Sequence, residues 1–548
     1  MNLRLHHLLV LFSGATLACD SSLTSLQGDT GTSVIDSRSK PTDAGVSETS
    51  GLDSHSSDAG IPDARHPDAE PPDAGTPDAE NLDAANDAMS DSTTPDLPAA
   101  DLAQTADAHP IDASVISDLS TPTPDSSSTD ASATPDLTSS DASLSLDGSA
   151  SDAGVNASVQ ITTGYTHSCA LLTSGAVRCW GQSYEGQLGY GNTQLIGWTT
   201  SPAAAGDLNI GGTAKQIASS HNHTCELLTN GKVRCWGKGT MGRLGYGNTN
   251  TIGDDEHPAT AGDVSIGGTV TQISAGRWHT CALLSTKKVR CWGSGGSGEL
   301  GQGYATGLIG DNEDPSTLGT VPVGGDVTQI STGHNFTCAL LSTKKVRCWG
   351  TNAWGQLGYG HKKAIGDDET PASAGDVNLG GDALQVEVGT HHSCALLVGN
   401  KVKCWGYGGS GGLGYGKTTN VGDTNVPADV GFVNLGTKTV TRIAVGYASS
   451  CAIFADGSLK CWGTNGYAKL GLKHTDNIGD NESPYSYTNV GAAVVDVCTH
   501  GFLHTCAALT SGQVRCWGFG GHGATAYPPG STIGDNEHPS SVSPIALY

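Results

Sequence analysis

The sequence predicts an all-β fold: a seven-bladed β-propeller preceded by a signal peptide and a long disordered linker. Three observations carry that prediction. First, one unit recurs seven times, its copies starting 55 to 57 residues apart. A fixed period of this size marks a repeat architecture, and seven such units can share one closed body. Second, each unit reads as about four short strands broken by glycine-rich turns, with almost no helical periodicity, as in a propeller blade. Third, the first 150 or so residues have a different composition altogether.

The leading segment comes first. Arg4, then Leu8-Leu9-Val10-Leu11-Phe12, then Thr16-Leu17-Ala18 before Cys19 reads as an export signal over residues 1–18. Its apolar run is too short to span a membrane as a helix. Cys19 resembles the lipidated cysteine of bacterial lipoproteins, although Thr16 stands where that family usually has Leu. An ordinary secretory cut after Ala18 is the alternative. If lipidated, Cys19 holds the protein to a membrane without spanning it.

Residues 19–154 form the linker. They repeat Pro-Asp-Ala at Pro62, Pro67, Pro72 and Pro77, then drift into Ser, Thr, Asp and Pro, without one aromatic residue. Such a chain buries too little apolar surface to offset its entropy and stays disordered. It spans roughly 60 to 70 Å as a tether. Half of the 54 acidic residues lie before position 155, where the stretch after Cys19 holds only Arg38, Lys40 and Arg65 in opposition. The remainder is close to neutral and has no broad basic face, which argues against nucleic acid as a partner.

The propeller region is 155–548. In its first copy Ser158-Val159-Gln160-Ile161-Thr162 alternates as a strand, and Gly164 ends it. Cys169-Ala170-Leu171-Leu172 and Val177-Arg178-Cys179-Trp180 then flank a turn containing Gly175, as a hairpin. A register centred on Ser174 sets Cys169 opposite Cys179, where a cross-strand disulfide is feasible. The same pairing is expected for Cys225-Cys235, Cys281-Cys291, Cys338-Cys348, Cys394-Cys404, Cys451-Cys461 and Cys506-Cys516. Fourteen of 16 cysteines in regular pairs read as a disulfide framework of an exported chain. Cys498 is left as a buried thiol. A Gly-rich loop follows each hairpin, as in Gly186-Gln187-Leu188-Gly189-Tyr190-Gly191, and then an acidic turn ending in proline.

The pattern Gly-x-x-His-Ser/Thr-x-Ala-Leu, then Val-x-x-Trp-Gly, then Gly-Gln-Leu-Gly resembles the repeat of the regulator of chromosome condensation family over about residues 155–548. That resemblance implies a seven-bladed propeller whose first strand, near Val159 to Thr162, completes a blade with the C-terminal strand near Val542 to Leu547. The seventh copy departs, with Gly521-His522-Gly523-Ala524 in place of Gly-Gln-Leu-Gly. The family is functionally mixed. Its eukaryotic namesake acts on a small GTPase and binds chromatin, and a secreted bacterial member inhibits β-lactamase.

Each candidate site has a plain structural role as its alternative. The histidines two before the first cysteine (His167, His223, His279, His392, His504) give way to Phe336 and Ser449 while every cysteine pair persists. They read as structural, bonding to neighbouring backbone, and not as metal ligands. The acidic turns headed by Asp254, Asp311, Asp367, Asp480 and Asp535 offer oxygen ligands to calcium, but lack EF-hand spacing and suit ordinary turns. No cofactor is expected. Trp198, Trp278 and Trp354 lie outside the Cys-Trp-Gly set. With Tyr165, Arg277, Asn335, His391, Tyr447 and Phe502, they are the candidate binding residues, in loops that line one face of the ring. No catalytic set recurs.

The resulting expectation is a monomer exported to a bacterial outer membrane or cell surface by lipid anchor, or secreted. It binds an unknown protein partner there and performs no catalysis. The alternatives are a carbohydrate-binding module or hydrolase using the channel, and a structural coat component.

Overall fold

The computed structural model describes residues 158–548. The signal peptide, the lipidation at Cys19 and the linker lie outside the described residues. What is described is almost entirely β, in seven antiparallel sheets, one per repeat. The first sheet is β1 (Ser158–Thr163), β2 (His167–Leu172) and β3 (Val177–Gly181). The equivalents of β1 are Ala214–Ser220, Val270–Ala275, Val327–Thr332, Ala383–Val388, Val440–Val445 and Val494–Cys498. These inner strands meet one another around the ring.

The hairpin takes the register expected of it, with Cys169 opposite Cys179 and Ser168 opposite Trp180. All seven cysteine pairs are disulfide-bonded, with Cα–Cα distances of 4.0 to 4.1 Å. The expected fourth strand is present in the third and seventh sheets, as Leu308–Ile309 and Thr532–Ile533. In the other five sheets it is reduced to short segments, as where Ile196 bridges Gly181 and Leu208 donates to Val177 O. The proline that ends an acidic turn starts a short helix at Pro258, Pro315, Pro371 and Pro539, though not at Pro484, and a missing N–H costs nothing at that position.

Blades are joined by side chains. The indole N–H of six of the seven Cys-Trp-Gly tryptophans, all but Trp405, reaches back into the preceding Gly-rich loop, as from Trp236 to Gln187 O at 3.0 Å and from Trp292 to Arg243 O at 3.0 Å. Gly189 has to be glycine there, because a β-carbon would lie 2.9 Å from the Trp236 indole nitrogen. On the inner strands, Gln216 donates to Ile273 O and accepts from Ile273 N, both at 2.9 Å. Gln160, Gln272, Gln329 and Gln385 repeat this clamp on the next blade.

Two expectations are corrected. The histidines bond to hydroxyls of the next blade, not to neighbouring backbone: His167 to Thr224 at 2.9 Å, His223 to Thr280 at 3.1 Å, His392 to Ser450 at 2.8 Å. His504 closes the series on Ser168 at 2.8 Å. The repeated glycine makes room for that ring, since a β-carbon on Gly164 would lie 2.0 Å from His167 Cε1. Ring closure is also different. β1 belongs to the first sheet and the C-terminal segment to the seventh, where Ile545 N donates to Val514 O at 2.9 Å. Each repeat is its own blade, so no strand exchange is needed. The divergent seventh loop still closes the ring, because Ala524 O takes the Trp180 indole at 2.9 Å.

Candidate functional site

Each inner strand runs toward one face of the ring and ends in the loop after the repeated glycine. The Gly-rich loop of each repeat returns to that same face. The two loops together gather the aromatic residues that no blade core uses.

The rings form a connected arc. Tyr165 stacks between His221 (4.6 Å) and Phe502 (4.8 Å). His221 stacks on Trp278 at 5.8 Å, and two guanidinium groups lie over the Trp278 ring, Arg243 at 4.4 Å and Arg277 at 4.5 Å. Arg277 donates to His334 Nε2, and His334 meets His391 edge-on at 5.8 Å. On the other side Phe502 contacts Tyr447 at 4.4 Å and Tyr467 at 5.7 Å, and Tyr467 contacts Phe519. Trp354 meets His391 and Tyr407. The arc's inner members are half-buried, whereas Trp354 and Tyr467 are 40 % and 43 % exposed.

The structure thus brings together Tyr165, Arg277, Trp278, Trp354, His391, Tyr447 and Phe502. Trp198 sits apart, its indole donating to Gly520 O at 3.2 Å. Asn335 lies in the right loop, but its neighbour His334 makes the ring contacts. Sequence reading missed His221, His334, Tyr407 and Tyr467. The first two occupy the place of Tyr165, immediately after the repeated glycine or its Ser220 substitute, so position alone marked them.

The cations beneath the face are held by neutral groups. Buried Arg243 donates to Thr240 O, Thr240 Oγ1 and Arg277 O. Its pKa is lowered to about 9, chiefly by burial. Buried Lys469 donates to Tyr447 O at 3.0 Å and Gly501 O at 2.9 Å, and burial lowers its pKa to about 7. Burial and the nearby Arg277 keep His221 and His334 neutral, with pKa values near 3 and 2. A desolvated cation disfavours further charge nearby.

Comparison with known proteins agrees with the repeat geometry. Two profiles described as "Regulator of chromosome condensation (RCC1) repeat" match, one over residues 159–187, 214–243, 270–299, 327–356 and 440–468, the other over 230–283. Over those segments the repeats of this chain are similar to the regulator of chromosome condensation repeat. The ultraviolet-B receptor UVR8 of Arabidopsis thaliana is 27 % identical over 367 residues, covering 66 % of this chain and 77 % of that protein. The human probable E3 ubiquitin-protein ligase HERC6 is 30 % identical over 307 residues, covering 56 % of this chain but only 28 % of that protein. Among solved structures, human WBSCR16 aligns with a TM-score of 0.50 at 19 % identity, over 63 % of this chain and 84 % of that one. Yeast RCC1 (Prp20), solved with Kap60, gives 0.50 at 19 % identity, over 70 % and 85 %. At this identity the structures speak for the propeller fold alone.

The acidic turns of the propeller are largely self-capped. Glu482 accepts from Gly479 N at 3.0 Å and Glu537 from Gly534 N at 3.2 Å, in the turns of Asp480 and Asp535. Glu313 does the same for Gly310 in the turn of Asp311. Only two turns, among the described residues, bring three carboxylates within 4.8 Å of one another: Asp254-Asp255-Glu256 and Asp367-Asp368-Glu369. In the second, Lys363 pairs with Asp368 and Glu369. Cys498 is fully buried outside any disulfide and accepts from Thr163 N and Oγ1 at 3.3 and 3.2 Å. Among the described residues, no helix is long and apolar enough to cross a membrane. The seven disulfides point to an oxidising compartment.

Proposed function

We propose that this propeller is a protein-binding scaffold of an exported bacterial protein, held at the cell envelope by a lipid on Cys19 and lifted from it by the linker over 19–154. One observation supports the reading above others. Two of the three tryptophans outside the blade cores, Trp278 and Trp354, join Tyr165, His391, Tyr407, Tyr447, Tyr467 and Phe502 in loops of one face, beside Arg243 and Arg277. Aromatic and arginine side chains are the residues that anchor protein interfaces. A catalytic channel has less support. The inner-strand polar side chains Gln160, Gln216, Gln272 and Asp496 are buried and engaged in holding blade to blade.

The test is retention of envelope and culture proteins on the immobilised, oxidised chain. Trp278→Ala and Tyr447→Ala should each abolish retention of a saturable partner, while Leu384→Ala on the opposite face should leave it intact. Retention indifferent to the aromatic-face variants would refute this reading.

A further inference from the structure

One end of the arc is a set of three mutually inclined rings. Around Tyr165 the rings stack, at 29° to His221 and at 10° to Phe502, and edge-on pairs such as Tyr447 and Phe502 occur singly. Trp354, His391 and Tyr407 are inclined all three to one another. Their planes are inclined to one another by 71°, 65° and 73°, pair by pair. Three planes so inclined meet as the walls of a box corner. Their centroids are 6.4 Å apart for Trp354 and His391, 5.0 Å for Trp354 and Tyr407, and 6.4 Å for His391 and Tyr407.

Those distances have a physical reading. A cation resting about 4.5 Å above each of three perpendicular rings would leave the centroids about 6.4 Å apart, which both pairs with His391 match, while Trp354 and Tyr407 lie closer, at 5.0 Å. The protein supplies its own scale, since Arg243 and Arg277 lie 4.4 and 4.5 Å from the Trp278 ring centroid. Ring faces elsewhere in this chain already hold cations: Phe432 has Lys401 and Lys403, Tyr487 has Lys438 and Lys460, and Tyr447 has Lys469. Trp354 and Tyr407 have none over them among the described residues.

The walls are anchored separately. Tyr407 N donates to His391 O at 2.9 Å, which ties two of them together. Trp354 N donates to the buried Gln356 Oε1 at 2.9 Å. Gly409 makes room for the Tyr407 phenol, because a β-carbon there would lie 2.1 Å from its oxygen. Asp423 packs its backbone against Gly355, next to Trp354.

We propose that Trp354, His391 and Tyr407 form an aromatic cage for an alkylated ammonium ion of the choline or trimethylammonium class. The ring quadrupoles attract the positive charge and the apolar walls accept its methyl groups, so a bulky, weakly hydrated cation is preferred to a small hydrated one. The site does not rest on the protein-binding reading, since a free ligand fills it whether or not a protein docks on the arc.

The test is calorimetric titration of the full oxidised chain with choline and with 3,3-dimethyl-1-butanol, its neutral carbon counterpart. Saturable choline binding is expected, with the neutral compound weaker by at least about tenfold. Trp354→Ala and Tyr407→Ala should each weaken choline by a similar factor with unchanged thermal unfolding. Trp354→Phe, which keeps a ring face, should retain part of the affinity. Trp278→Ala should leave choline binding alone, which separates this site from the protein-binding arc. Added retention on phosphatidylcholine vesicles would mark a lipid headgroup as the source, whereas binding of free choline alone would mark a soluble ligand. Equal affinity for the neutral compound, no binding, or affinity indifferent to Trp354→Ala overturns the proposal.

Discussion

The tautomer of four buried histidines is set by hydroxyls of the next blade. Thr224 gives its one hydroxyl proton to Gln187 O, so it accepts from His167 Nε2–H. Thr280, Ser450 and Ser168 likewise donate to Arg243 O, Gly412 O and Ala524 O while meeting His223, His392 and His504. A proton added to these rings would go to Nδ1, which in His167, His223, His279 and His504 is buried with nothing to receive it. Burial accordingly lowers His167, His279, His392 and His504 to about 3, and His223 well below its usual value. In the unfolded chain they titrate near about 6.5. Their contribution to stability is therefore complete above that pH and is lost as pH falls toward 3. Buried Glu226, raised to about 8 by burial, acts in the opposite sense, since the folded state keeps its proton as pH falls from 8. Five imidazoles outweigh one carboxyl below about pH 6. The urea midpoint is expected to peak near neutrality and drop between pH 6 and 4. His279→Phe should make that drop shallower, since Phe336 already fills the equivalent place in the fourth blade. A midpoint unchanged over this range would contradict the assignment.

At the scale of the element, the hairpin was the most legible part of the chain. Its ten-residue cysteine spacing, apolar alternation and turn residues are all local, so one copy specifies strand pairing and disulfide together. The inner-strand clamps were not legible. The partners of Gln216 are the backbone N–H and C=O of Ile273, and a backbone partner leaves no complementary residue type in the sequence. The aromatic arc was half legible for a related reason: loop position could be read from the glycine, but ring contacts between blades depend on curvature. The hairpin also predicts redox behaviour. All fourteen bridged cysteines are at most 1 % exposed, so a reductant reaches them only when blades open. Thiol titration should find the native chain resistant to dithiothreitol and promptly reduced once urea is added. Replacing Cys338 and Cys348 together by Ser should cost roughly 2.5 to 3 kcal/mol in urea unfolding by loop-closure entropy. Rapid reduction of the folded chain would show that the blades open far more readily than their packing implies.

For the molecule as a whole, the question is where a ring of near-identical blades is sealed. Five inner-strand glutamines clamp the next blade, but the sixth and seventh blades have Arg442 and Asp496 instead. Arg442 pairs with Asp496, at 3 % and 1 % side-chain exposure, and Asp496 accepts from Ile161 N at 2.8 Å across the junction of the seventh and first blades. The irregular link lies next to the point where first and last repeats meet. Breaking one partner of a buried ion pair leaves an uncompensated charge, which typically costs about 3 to 5 kcal/mol. Arg442→Gln alone should therefore destabilise the ring by about that amount. Arg442→Gln with Asp496→Gln removes both charges and offers the amide clamp used by the other five blades. Each new glutamine would face a backbone N–H and C=O, at Val497 and at Ile161. The double variant should recover most of the loss, because a buried ion pair is commonly replaceable by a neutral set that satisfies the same groups. Urea unfolding of the two single variants and the double, under oxidising conditions, measures this as a coupling energy. Additive losses would mean that the seam depends on charge itself. Recovery would mean that blade closure needs only satisfied backbone groups, as at the five glutamine junctions.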